Sequence, residues 1–433
     1  TFYLSLGFFG IFSTATLLLI FTIATFPGEW LDANLPSSPL KFGGKSIYQL
    51  LVAGDVDLAA RKPKSLWSNR LVIPGIDVLD HGKFETEEKI AALPVTVSLR
   101  ARHLEGAVLI GANLRKADFT AAILKEANLS NADLREANFG CDRFGQDANC
   151  TQLQGANLKS ANLEGATLDN VGLQGASLDY AQFQGASLKA AKLSGISAIQ
   201  TKFHGALLDG ADFGGSYLEA TEFEVASLLG ADFRGAYFYR VQFQGSDLNL
   251  ANFNGSVLTR PFVWRVRSVP FADQRIAGNS PETGRKVFCP EKLEDCDWSF
   301  DLYSDFKARF GKKFSRDPRS LLSKIERLNP NSILDDEEAS ARAWTSLFIN
   351  TKSRDEFDVI RSEELKRIGC VASGAPYIVR NLLKLSEVYF TGTPGDKLAA
   401  AFLYMLCLGA LGLTEQEILK LRSMADRATI SRP

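Results

Sequence analysis

Chemistry needs groups that can give, take or hold charge at close quarters, and in this chain they are few and scattered. There are three histidines, His81, His103 and His204, far apart in sequence. A zinc site gathers four donors, and isolated imidazoles do not supply them. Each histidine is therefore expected to be a solvated or locally satisfied side chain. No glycine-rich phosphate loop, His-Glu-x-x-His, Gly-x-Ser-x-Gly or metal-spaced Cys and His pair occurs. This predicts a non-enzyme with no catalytic residue, no metal and no cofactor. The six cysteines are more informative. Cys141 and Cys150 form one close pair, Cys289 and Cys296 another, and Cys370 and Cys407 both fall near the C-terminus. An even count in local pairs favours disulfides, and hence an oxidising compartment.

The elements that would position these residues come from a repeat. Every fifth residue from Leu99 is Leu or Phe: Leu104, Leu109, Leu114, Phe119, Leu124, Leu129, Leu134, Phe139 and Phe144. The register slips over residues 145–152, resumes at Leu153 and runs to Leu258, with Ala198 the one centre of another type. Two positions before the centre stands a small residue, usually Ala, as at Ala112, Ala132, Ala156 and Ala211. A period of five suits neither an α-helix nor a flat strand. It suits a coil that turns a corner every five residues, with the large centre and the small residue inside and the polar positions outside. Asn and Asp just before the centre (Asn113, Asp133, Asn157, Asp232) favour local backbone bonding, and Gly after the centre (Gly155, Gly165, Gly175, Gly185, Gly205) relieves steric limits at the corner. Gln242, at a polar position, is expected to tolerate lysine.

Units such as GANLRKADFT, EANLSNADLREANF and LGADFRGAYF resemble the pentapeptide-repeat family. The resemblance implies a mainly β fold: a right-handed quadrilateral β-helix with four pentapeptides per coil. About eight coils at roughly 4.8 Å each would make a rod of about 38 Å. Centres twenty apart would then stack, placing Phe183, Phe203, Phe223 and Phe243 in one column and Phe213, Phe233 and Phe253 in another. Residues 65–119 also resemble a narrower group, large membrane-anchored pentapeptide-repeat proteins of proteobacteria.

Around the rod, the expected organisation is a transmembrane helix (1–28), a connector and N-terminal cap (29–96), the β-helix (97–258), a C-terminal cap and connector (259–300) and an α-helical domain (301–433). Residues 2–26 carry no charge, and a helix of that length spans more than a hydrocarbon core of roughly 30 Å. The chain opens on Thr1 inside this apolar stretch, so a longer polypeptide is expected. Glu29, Asp32, Lys41 and Lys45 give the flank no excess of positive charge. With the cysteines, this points to a bacterial inner-membrane protein whose soluble part is periplasmic. Lys plus Arg (49) balance Asp plus Glu (50) without long blocks of one sign, so no nucleic-acid partner is expected.

The expected function is a non-catalytic, membrane-tethered scaffold. Its N-terminal helix would meet membrane lipid, and its body another membrane or periplasmic protein, for instance as an accessory subunit of a membrane complex. Tyr180, Tyr217, Tyr237 and Tyr239, at outward positions, are the candidate protein contacts. The alternative is an acidic DNA mimic that binds a topoisomerase, as some members of the resembled family do. Asp209, Asp212, Glu219, Glu222, Glu224, Asp232 and Asp247 motivate it.

Overall fold

A computed structural model describes residues 86–142 and 149–267 continuously, together with 71–79, 318–332 and short stretches elsewhere. The apolar stretch 2–26, Cys289, Cys296, Cys370, Cys407 and most of 301–433 lie outside the described residues. Among the described residues, no helix is long and apolar enough to cross a membrane.

The repeat builds a parallel β-solenoid. Successive coils pair in register at twenty residues, as in Asn113↔Asp133, Asn157↔Ser177 and Asp212↔Asp232. Twenty residues make four pentapeptides, so each coil has four faces, numbered here from the centres Leu153, Leu158, Leu163 and Leu168. On the second face the rungs lengthen into a parallel sheet: β5 (Ser197–Ile199), β6 (Tyr217–Glu219), β7 (Tyr237–Tyr239), β8 (Val257–Thr259) and β9 (Ala277–Gly278). Nearer the N-terminus, β1 (Val56–Asp57) and β2 (Lys62–Pro63) form a separate antiparallel pair, and α1 (Glu87–Ala91) precedes the first full coil.

Each pentapeptide is closed by a β-turn. The amide of the small residue donates to the carbonyl of the preceding centre, as in Ala112 to Leu109 (3.2 Å) and Ala117 to Leu114 (3.0 Å). The residue two after the centre must then take a positive φ, which is why glycine is frequent there: Gly155, Gly175 and Gly195 have φ of 69°, 67° and 65°. The Asn or Asp before the centre closes a second local ring. The Oδ1 atoms of Asp133, Asn157 and Asp232 accept from the amides of Arg135 (3.2 Å), Lys159 (3.2 Å) and Arg234 (3.1 Å).

The core is the column of centres. From Leu109 to Leu258 the described centres are at most 2 % exposed. Phe183, Phe203, Phe223 and Phe243 stack at centroid spacings of 5.0, 5.1 and 5.3 Å, and Phe213, Phe233 and Phe253 at 5.0 and 4.8 Å. The two columns meet edge to face, for example Phe213 on Phe223. Such aromatic pairs add about 0.5–1.5 kcal/mol each beyond burial.

The slip is a looped-out hairpin. Ile123 pairs with Gln152, twenty-nine residues on, so nine residues leave the coil. They begin and end in β3 (Cys141–Asp142) and β4 (Asn149–Cys150), antiparallel with Cys141 opposite Cys150 and the two joined by a disulfide. The ladder also extends past the region of regular repeats. Val72 and Asp77 pair in parallel with Val108 and Asn113 below, and Phe262 and Arg267 with Gln242 and Asp247 above. Val263 stands there in place of a Leu or Phe centre and Val266 in place of a small residue, both buried in the core cluster without the family spelling.

Candidate functional site

The first face of the rod is not bare. Helical residues 376–381 lie against the corner glycines that follow its centres. A methyl group added at Gly175 would run into the Tyr377 backbone, at Gly155 into the Tyr377 ring and Glu126, and at Gly195 into the Ile378 side chain. Asn381 Nδ2 donates to the Gly195 carbonyl at 3.0 Å. Ile378 and Val379 are fully buried, and Tyr377 is nearly so. Burial, aided by the nearby Glu126 carboxylate, pushes the Tyr377 phenol up to about 12. These glycines therefore do two things: they satisfy the turn, and they leave a smooth track on which a helix can approach the backbone.

Farther along the same face, contacts become polar. Glu364 accepts from Asn254 Nδ2 (3.3 Å) and faces Arg234 (3.6 Å), while Arg367 reaches Asp232 (3.4 Å). Ile368 sits over Gly214. Asp232 and Arg234 also bind each other, so a four-charge network joins rod and helix. At the far end, α2 (Pro318–Arg327) is held by Arg265. Its guanidinium donates to the carbonyls of Arg327 (2.6 Å), Asn329 (2.5 Å) and Ser332 (2.7 Å), placing a cation at the helix C-terminus, where the dipole favours it. Leu328 packs beside it on Gly245.

On the third face, His204 lies between two carboxylates of the next coil. Its Nε2 is 2.7 Å from Glu222 Oε2 and its Nδ1 2.9 Å from Glu224 Oε2. Burial alone would lower the imidazole, but Glu224 and Glu222 outweigh it and raise it to about 9. Burial pushes the Glu224 carboxyl up, with His204 opposing. These three are the described residues that could hold a metal ion.

The model of pentapeptide repeats matches eight copies within residues 103–140, 151–189, 186–224 and 216–255. The solenoid belongs to the pentapeptide-repeat family. Among solved structures, the chain is similar to QnrB1, a plasmid-mediated fluoroquinolone resistance protein, at 17 % identity over 46 % of this chain and 92 % of that one, with a TM-score of 0.30. It is also similar to HetL, a pentapeptide repeat protein involved in heterocyst differentiation regulation from the cyanobacterium Nostoc, at 22 % identity over 52 % and 92 %, TM-score 0.21. A third is a pentapeptide repeat protein from the Arabidopsis thaliana thylakoid lumen, at 27 % identity over 23 % and 66 %, TM-score 0.15. No curated protein matches the chain.

Within this pentapeptide-repeat rod, the candidate tyrosines have different fates. Tyr180 stands on a corner, 51 % exposed, and Tyr237 and Tyr239 are half-buried on β7. Tyr217 is corrected: it is 5 % exposed, its ring stacked on Tyr237 and its hydroxyl donating to Glu219 at 2.7 Å, so it is not an open contact. Gln242 is corrected too. It is 1 % exposed, because outward from a coil is not outward from the molecule on a face where Leu328 packs alongside. Lysine there would bury an ammonium group.

The helix track was not read from the sequence, which assigned the glycines to turn geometry alone. One signal was available: Gly155, Gly175 and Gly195 recur at the coil period, a straight line up one corner. The His204 cluster was missed for the same reason, since His204 and Glu224 are one coil apart.

Proposed function

We propose that this chain is a non-catalytic scaffold: a rigid pentapeptide-repeat rod that binds helices on its glycine-lined first face and another protein on the faces left open. In this reading the N-terminal apolar helix tethers it to a bacterial inner membrane, with the rod in the periplasm and a membrane or periplasmic protein as partner. The observation that carries it is the seating of residues 376–381 on Gly155, Gly175 and Gly195. A rod locked by backbone ladders loses little entropy on binding, so contacts made along it are retained as affinity.

The acidic residues do not favour the DNA-mimic alternative. A mimic needs one continuous negative stripe. Asp212 and Asp232 lie on the first face, Glu219 on the second, Glu222 and Glu224 on the third, and Asp209 and Asp247 on the fourth. Most of them are also engaged: Asp212 by Ser194, Glu219 by Tyr217, Glu222 and Glu224 by His204, and Asp232 by Arg234 and Arg367.

The test is affinity purification from gently solubilised membranes. The full chain should bring down a discrete partner, and Tyr180→Ala with Tyr239→Ala should weaken that capture while leaving the β-sheet circular dichroism unchanged. A wild-type chain that purifies alone would remove the proposal's support.

A further inference from the structure

Away from the helix track, His204, Glu222 and Glu224 converge between two coils, with one donor atom from each lying within 4.8 Å of the others. The backbone leaves them little freedom to part. Phe203 N donates to the Glu222 carbonyl at 2.7 Å, and Gly205 N to the Glu224 carbonyl at 3.0 Å, so the ladder fixes the backbone that carries both glutamates beside that of His204. We propose that His204, Glu222 and Glu224 form a binding site for one first-row divalent cation of the zinc or manganese type.

The donor set decides the class. One imidazole and two carboxylates suit borderline cations such as Zn2+, Mn2+ or Co2+, whereas Ca2+ and Mg2+ prefer all-oxygen shells. Charge agrees. The cluster brings two carboxyl groups and one imidazole together in a place where His204 is 8 % and Glu224 3 % exposed. A divalent cation with a neutral imidazole brings the sum to zero, and buried charges are tolerated when paired or bound to metal. Size also fits. Donors around a tetrahedral ion with bonds of about 2.0–2.2 Å sit about 3.4 Å apart. One ion uses one ring nitrogen, and one donor atom from each of the three residues, all within 4.8 Å of one another, can draw in to that spacing by side-chain rotation.

A separate observation lies one coil below His204 in the same column. Gln184 is 7 % exposed, and its Oε1 has no hydrogen-bond partner. A buried carboxamide oxygen with a free lone pair in the neighbouring coil offers an acceptor for a metal-bound water, the kind of outer support that metal sites usually receive. The Glu222 side chain, 18 % exposed, forms the mouth through which the ion enters.

The full chain, stripped with chelator and dialysed, is titrated with Co2+, Mn2+ and Zn2+ by calorimetry and the visible Co2+ spectrum. The expected result is one tight site and a Co2+ spectrum without a thiolate charge-transfer band. Glu222→Gln, at the partly open mouth and safe for folding, should weaken binding about tenfold or more, and His204→Gln should abolish the site. A wild-type protein that binds none of the three ions, a spectrum showing thiolate ligation, or affinity unchanged in Glu222→Gln would overturn the proposal.

Discussion

His204 shows how much one side chain's surroundings change its role. A histidine held above its unfolded value of 6.5, at about 9, adds stability that is complete below 6.5 and disappears as the pH climbs through 9. In chelator, the melting temperature of the wild type should therefore fall between pH 7 and pH 10, and His204→Gln should flatten that slope. A wild-type profile flat over the same range would mean that the imidazole is not held between Glu222 and Glu224. Phe223 is the corresponding test of the core. Phe223→Ala should cost about 3–5 kcal/mol in a urea titration, and Phe223→Asp more, because it buries an unpaired charge among stacked rings. The inward residues were legible because a five-residue period names them one by one. The outward ones were legible in direction but not in exposure: Tyr217 is covered by Tyr237 of the next coil, and Gln242 lies on a face where Leu328, far away in sequence, packs alongside.

At the scale of elements, the coil was legible from the repeat and its ends were not. Spelling stops at Leu258, while the ladder continues through Phe262 and Arg267, because hydrogen bonding between rungs needs only an inward apolar residue and an open edge to join. The looped-out hairpin was visible as a slip in register with a cysteine on each side. Replacing Cys141 and Cys150 by Ser should cost about 2–3 kcal/mol for so short a loop, with the hairpin opening first. Non-reducing peptide mapping that finds both thiols free in protein from native membranes would contradict the link. The helix track makes a sharper prediction. Gly175→Ala, Gly195→Ala and Gly210→Ala all place a side chain at positive φ, each costing about 1–2 kcal/mol. At Gly210 the added methyl meets nothing, whereas at Gly175 and Gly195 it strikes Tyr377 and Ile378. Hydrogen exchange should show protection lost over residues 376–381 in the first two variants and kept in the third. Equal protection in all three would place the helix elsewhere.

For the whole molecule, the rod resembles a rule with one edge already occupied. Its own helices take the first face, α2 closes the end through Arg265, and Tyr180 and Tyr239 remain on surfaces that a partner can reach. The β-helix followed from the sequence because the repeat is local. The occupancy of one face did not, because it depends on residues more than a hundred positions away, as Glu364 is from Asn254. The scaffold account is tested most directly by photo-crosslinking in intact cells, with a benzoylphenyl side chain replacing Tyr180 or Tyr239 and, as a control, buried Phe238. The account predicts a discrete adduct of one additional protein from Tyr180 or Tyr239 and none from Phe238, whereas illumination that yields no adduct from either exposed position would contradict it.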